Sequence, residues 1–272
     1  MRKLAIAAAL AAAGICASAA PASAPLPSPN TAPLPDADPA IWVINDHDTT
    51  IYLFGTFHAL DGKSAWFNDE VRTAFAASDE LVLETVIPQR GRGPTPSSAS
   101  STGSASFLAA TRMAISAGRA RGMQAGHGAD LVLRQVAELW GKPVGGLESF
   151  STQLGMFGRM SGQPTPAGKG PSPVQSRAAM EDLSFVMGEM QSAWCRGDWR
   201  LFATMLTHMR RNSPESYNLM FAQRNANWAN WIAQRLQRPG TVFVAVGTGH
   251  LVGRDSVQAK LALRGVRSAR IN

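Results

Sequence analysis

The stretch Ile51-Tyr52-Leu53-Phe54-Gly55-Thr56-Phe57-His58 and its counterpart Val242-Phe243-Val244-Ala245-Val246-Gly247-Thr248-Gly249-His250 decide how this chain folds. In both, a run of β-branched and aromatic residues of strand length stops at Gly-Thr, and a histidine follows two residues later. The glycine is expected to let the backbone turn sharply where a side chain would obstruct it, which delivers the histidine just past the end of a buried strand. With 25 Gly and 5 His in 272 residues, about 0.5 Gly-x-x-His matches arise by chance, so two matches that both read Gly-Thr-x-His are informative.

The remaining pattern predicts an α/β fold. Residues 41–44 and 51–54 flank a short polar stretch and predict an N-terminal hairpin. A helical period over 66–77 followed by the strand-like run 80–84 indicates a parallel strand pair with a crossover. We therefore expect a central, mostly parallel sheet of about 4–6 strands, the N-terminal hairpin, and a large helical insertion between residues 107 and 237.

The N-terminus has the pattern of a secretory signal peptide. Arg2 and Lys3 precede an apolar run, and Ala17-Ser18-Ala19 fits the small-residue cleavage motif. We expect a signal peptide at 1–19, a flexible Pro/Ala-rich leader at 20–40, and one domain at 41–272. The mature protein would be periplasmic or secreted, with no transmembrane segment after cleavage.

Charge and cysteine content argue against a nucleic-acid partner and against a disulfide. The formal net charge of +7 at pH 7 comes from scattered arginines, with no basic run interleaved with aromatic residues. This distribution favours a basic solvated surface and argues against a nucleic-acid partner. Removal of the signal peptide takes away Cys16 and leaves Cys195 alone, which excludes an intramolecular disulfide.

Four predicted strands end in a side chain that can bind a metal: His58, Glu84, Glu148 and His250. In open α/β sheets, ligands bind outside the carboxyl ends of the strands, so these residues are expected to face one cleft. Two imidazoles with one or two carboxylates suit Zn, Mn, Fe or Co, and such a metal lowers the pKa of a bound water towards about 7. The alternatives are that each histidine is structural and that each glutamate caps a helix or pairs with an arginine.

Other notable segments carry weaker expectations. His47 is expected in a solvated turn, and His127 and His208 are expected to be structural or exposed. The Gly/Pro/Ser-rich segments at 90–106 and 161–173 are expected to be surface loops.

The motifs also resemble the TraB/PrgY/GumN family, which includes the Tiki metalloproteases. The resemblance begins at the first Gly-Thr-Phe-His and runs in order from about residue 41 to 270. Its further motifs are Glu84, Gly141-Lys142-Pro143-Val144 leading to Leu147-Glu148 and Gln153, Trp194-Cys195-Arg196-Gly197-Asp198, Arg224-Asn225-Ala226-Asn227-Trp228, and the second histidine turn.

The resemblance implies functional roles for particular residues. It implies that His58 and His250 bind a divalent transition metal (Mn, Co or Zn) and that Glu84 is a ligand or general base. Glu148 would be a ligand or would orient one, and Arg224 would stabilise charge by holding a substrate carboxylate or an oxyanion. The expected function is an exported metal-dependent hydrolase acting on a peptide or protein substrate.

Two alternatives remain open. One is a non-catalytic envelope protein that sequesters a peptide or other small ligand, as the PrgY branch suggests. The other is a role in exopolysaccharide handling, which only the GumN name suggests.

Overall fold

A computed structural model describes residues 34–86, 112–159 and 173–272. The predicted signal peptide, most of the predicted leader, the loop at 90–106 and nearly all of the loop at 161–173 lie outside the described residues.

The N-terminal hairpin is present as predicted. Strand β1 (Ile41–Asn45) pairs antiparallel with β2 (Thr49–Thr56), so that Ile41 lies opposite Phe54. The connecting turn is held by the Asp46 side chain, whose Oδ1 accepts a hydrogen bond of 2.8 Å from the Thr49 N–H. His47, in the same turn, has 85% of its side chain exposed, which confirms it as a solvated loop residue.

The sheet has six strands among the described residues. The other four are β3 (Glu80–Thr85), β4 (Val144–Glu148), β5 (Gly240–Gly247) and β6 (Ala269–Arg270), and the order across the sheet is β4-β3-β5-β2-β1-β6. Strands β4, β3, β5 and β2 run parallel. This confirms the mostly parallel α/β fold. Strands β2 and β3 run parallel, as the local pattern predicts, but β5 lies between them.

Helices cover both faces of the sheet. The helical segments of the described chain are α1 (Asp69–Ala77), α2 (112–119), α3 (Ala129–Leu139), α4 (Phe150–Arg159), α5 (Pro173–Cys195), α6 (Arg200–Asn212), α7 (Pro214–Tyr217), α8 (Gln223–Arg235) and α9 (Val257–Ala262). A π-turn at Asn218–Ala222 joins α7 to α8. Helix α1 begins three residues later than its apolar period, because the Asn68 side chain accepts from the Val71 N–H and caps it.

The parallel strands are buried on both faces, and each face has its own core. Phe54, Phe75 and Phe243 pack with Trp194 on one face, while Trp228 packs with the valines of β5 on the other. This double burial explains why β2 and β5 read as continuous apolar runs rather than alternating ones. Trp194 also donates its indole N–H to the Gly55 carbonyl at 2.7 Å, which ties α5 to the end of β2.

The last residues of the predicted leader contact the domain. Asp36 forms a bridge with Ala65, Ala37 is buried, and the Asp38 N–H donates to the Cys195 carbonyl at 2.6 Å. Residues 36–40 therefore pack on the domain. No helix within the three described ranges has both the length and the apolar composition needed to cross a bilayer.

Candidate functional site

The candidate site lies where the four parallel strands end. Glu84 is the next-to-last residue of β3, Glu148 ends β4, and His58 follows β2 by two residues. His250 lies in the short 3-10 turn Thr248–Leu251 that follows β5. Because the carboxyl ends of parallel strands meet at one edge of a sheet, the fold brings these side chains to one place.

The two glycines of the histidine motifs are needed for close approach and not for a special backbone conformation. Neither Gly55 nor Gly247 has a positive φ, and Gly247 has φ −53° and ψ 135°. A Cβ on Gly247 would lie 3.1 Å from both Glu84 Oε1 and His58 Nε2, and a Cβ on Gly55 would lie 2.9 Å from Thr248 Oγ1. A side chain at either position would therefore obstruct its neighbours, as expected, although neither glycine needs a left-handed backbone conformation.

Arg224 reaches the site from α8 and is the most heavily bonded side chain in it. Its Nη2 donates to Glu84 Oε2 at 2.7 Å and to Glu148 Oε1 at 2.6 Å, and its Nε lies 3.1 Å from each oxygen of Glu148. The guanidinium carbon also lies 4.6 Å from the centre of the Trp228 ring. Arg224 is only 9% exposed, so one buried cation holds two carboxylates.

His250 is fixed through both ring nitrogens. Its Nε2 lies 3.1 Å from Arg224 Nη1, and its Nδ1 lies 2.6 Å from Asn225 Oδ1. Because arginine can only donate, Nε2 must accept, which places the ring proton on Nδ1, where it is donated to Asn225. Burial and the nearby guanidinium lower the pKa of His250 to about 3 against the opposing effect of Glu84, so the ring is neutral at physiological pH.

The charges around His58, unlike those around His250, favour the protonated ring. Its Nδ1 lies 2.9 Å from Asp130 Oδ1, an ion-pair distance, although the N–H direction is not aligned as in a hydrogen bond. Burial disfavours the imidazolium, but the carboxylates of Asp130 and Glu84 outweigh burial and raise the pKa of His58. Its Nε2 is turned towards Gly247 and Glu84.

The two glutamates differ in their protonation behaviour. Burial opposes ionisation of Glu84, but Arg224, the histidines and the Gly247 N–H, which donates at 2.7 Å, hold its pKa well below the usual range. For Glu148 burial dominates over the contacts with Arg224 and raises the pKa. Glu84 is thus a carboxylate at neutral pH, with Oε1 lying 3.6 Å from His250 Nε2.

Sequence reasoning did not assign roles to two residues that touch the histidines. No sequence motif marks Asp130 as a partner of a histidine, and Asn225 stands out only as part of the Arg-Asn motif. Asn225 is itself fixed, since its Nδ2 donates to the Asp255 carbonyl at 2.7 Å. The position of Asn225 beside Arg224 is the one local signal that could have pointed to it.

Two further histidines lie apart from these contacts. His127 is half-buried beside Gly62, and His208 is exposed on α6, as expected.

The loop before α3 gives a stability prediction. A Cβ on Gly128 would lie 2.2 Å from the backbone oxygen of His58, whereas a Cβ on Gly126 meets nothing within 4 Å. Gly128→Ala is therefore expected to lower the free energy of unfolding by about 2–3 kcal/mol and to displace His58, because backbone atoms must move. Gly126→Ala, as the matched control in urea unfolding, is expected to be nearly neutral; equal effects would contradict the packing described here.

Comparison with known proteins identifies the family. The model of the TraB/PrgY/gumN family matches residues 40–102 and 95–270. The chain belongs to the TraB/PrgY/gumN family. Neither a curated protein nor a solved structure gave a significant match.

The donor set of this TraB/PrgY/gumN chain fits a divalent transition metal chemically. His58 Nε2 and Glu84 Oε1 border the same space over Gly247, and His250 Nε2 lies beside Glu84. In the described ranges, three ligand-type atoms lie within 4.8 Å of one another only in the exposed turn Asp46-His47-Asp48. The donors of His58, Glu84 and His250 would therefore have to close further, since ligands of a tetrahedral metal are about 3.3 Å apart.

Proposed function

We propose that this protein is an exported metal-dependent hydrolase that acts on peptides or proteins. The observation that carries the proposal is the arrangement of the two histidines. Asp130 lies against Nδ1 of His58 and Asn225 binds Nδ1 of His250, while both Nε2 atoms are turned towards Glu84. Metal-binding histidines are typically oriented in this way, by a carboxylate or an amide on the nitrogen that does not bind the metal.

The contacts of each side chain indicate its role in the site. His58 Nε2, His250 Nε2 and Glu84 Oε1 are the atoms that would hold a Mn, Co or Zn ion. Glu148 was also expected to be a ligand, but both of its oxygens contact Arg224. It therefore fits better as the residue that positions Arg224, which in turn holds Glu84.

The chemistry follows from burial and charge. A divalent metal held by these residues would supply a water of lowered pKa and would polarise a carbonyl oxygen. Glu84 is ionised and buried, so its Oε1 can either help to hold the metal or, where the two histidines hold it, accept a proton from an attacking water. The Gly247 N–H and Arg224 Nη2 keep this carboxylate in place, which reduces the reorganisation needed during the reaction.

The sheet edge beside the site supports an extended peptide as the substrate. Within the part of the chain that the structure describes, β4 pairs with β3 alone. It contains Gly145-Gly146, of which Gly146 is exposed, and it ends at Glu148. Extended peptides add to open sheet edges through backbone hydrogen bonds, and strand glycines allow a second backbone to approach closely.

Incubation with a peptide library, followed by mass spectrometry, tests this function. Chelator-treated protein is expected to be inactive, and addition of Mn²⁺, Co²⁺ or Zn²⁺ is expected to restore cleavage. Stoichiometric capture of peptides without turnover in the presence of metal would instead support the sequestering protein. N-terminal sequencing of the mature protein from periplasm and medium tests export, with a start at Ala20 expected.

A further inference from the structure

Every N–H group of the Arg224 guanidinium has an acceptor. Nε faces Glu148, Nη2 serves Glu84 and Glu148, and Nη1 serves His250 Nε2 and the Met220 carbonyl, the last at 3.1 Å. An arginine has five such donors, so none is left for a substrate in this arrangement. The expected role of Arg224 in holding a substrate carboxylate or oxyanion therefore requires one of these contacts to open.

The helix geometry aims this arginine at the site. The π-turn Asn218–Ala222 lies directly before α8, and the Gln223 N–H bonds back to the Asn218 carbonyl, five residues earlier. The Met220 carbonyl accepts from the Arg224 side chain. Such single π-turns occur frequently at functional sites, and this one ends two residues before Arg224.

The contact with His250 is the one that conflicts with metal binding. Arg224 Nη1 donates to the lone pair of His250 Nε2. A metal would need this same nitrogen, because Nδ1 is bound to Asn225. Glu84 Oε1, by contrast, is free of Arg224, which binds Oε2. Competition is therefore confined to one nitrogen.

We propose that Arg224 competes with a divalent metal for Nε2 of His250, so that metal binding requires the guanidinium to withdraw. Withdrawal leaves one Nη1–H free to bind an oxygen of the substrate. The inference rests on the proposed metal centre and adds a coupling between metal binding and substrate binding that runs through one side chain.

Zinc titration by calorimetry of wild type, Arg224→Lys and Arg235→Lys tests the competition. Lysine keeps a positive charge between Glu84 and Glu148, so the variant is expected to fold, but it lacks the planar fork that reaches His250. Arg224→Lys is expected to bind Zn²⁺ about tenfold more tightly than wild type, since the competing charged donor is removed. Arg235 is a buried arginine paired with Glu80 away from the site, and its replacement is expected to leave zinc affinity unchanged.

Nuclear magnetic resonance of the wild type provides a second measurement. The guanidinium nitrogen signals of Arg224 are expected to shift when Zn²⁺ binds, because the His250 contact is lost. Equal or weaker zinc affinity of Arg224→Lys, or unshifted Arg224 signals during zinc binding, would overturn the competition alone. Absence of zinc binding by both wild type and Arg224→Lys would overturn the metal centre itself.

Discussion

His250→Ala is expected to reduce metal-dependent peptide hydrolysis by about three orders of magnitude or more. The substitution removes the Nε2 atom that lies 3.6 Å from Glu84 Oε1, and with it one of the three donors of the proposed centre. Loss of an activated water and of correctly placed proton transfer together accounts for an effect of this size. The measurement is kcat/KM on the best peptide from the library, with Mn²⁺, Co²⁺ or Zn²⁺ supplied.

His208→Ala is the matched control for this prediction. His208 is exposed on α6, so the same substitution there should leave both folding and hydrolysis unchanged. Circular dichroism should show that His250→Ala remains folded. If folded His250→Ala retained more than about a tenth of the wild-type rate, His250 would not be part of the catalytic centre.

Arg224→Met is expected to lower the free energy of unfolding by about 3–5 kcal/mol at neutral pH. It removes the guanidinium that lies 2.7 Å from Glu84 and 2.6 Å from Glu148, and leaves two buried carboxylates without a counter-charge. Breaking a buried ion pair from one side has a cost of this order. Urea unfolding measures the difference.

The control for this effect is Arg235→Met. Arg235 is also buried, but its partner Glu80 has 30% of its side chain exposed and can be hydrated once the arginine is gone. We expect a cost of about 1–2 kcal/mol there. Equal costs for the two substitutions would contradict the buried charge cluster described for Arg224.

The effect of Arg224→Met should also depend on pH. Without the guanidinium, burial and mutual repulsion raise the folded-state pKa of Glu84 and Glu148 above the unfolded value of about 4.3. A raised carboxyl pKa destabilises the folded protein above that pKa, so the difference from wild type should shrink as the pH falls from 7 to about 5. A difference that grows on acidification would contradict this assignment.

The elements of the fold could be predicted from local pattern, but the strand order could not. The runs at 51–54 and 241–246 are apolar because both faces of β2 and β5 are buried, which makes them readable as strands. Their adjacency, with Thr56 opposite Gly247, joins residues that are far apart in sequence. This long-range pairing places β5 between β2 and β3. The spacing of apolar residues within each strand carries no information about such pairing.

The candidate site could also be predicted only in part from the sequence. Placing His58, Glu84, Glu148 and His250 together required only the rule that parallel strands end at one edge. The partners of the histidines, Asp130 and Asn225, are brought in by helices α3 and α8, whose packing cannot be read from spacing. Whether the N–H groups of Arg224 are already bound likewise depends on the acceptors around it. The sequence could therefore suggest an arginine available to a substrate, whereas in the structure all five of its N–H groups have acceptors.

The most direct test of the metal centre is elemental analysis and calorimetric titration of the mature protein beside His58→Ala, His250→Ala and His208→Ala. Wild type and His208→Ala are expected to contain, or to bind after stripping, about one Mn, Co or Zn ion per chain, while His58→Ala and His250→Ala bind none tightly. Failure of the wild type to bind any of the three metals, or unchanged binding by both active-site variants, would contradict the proposed centre.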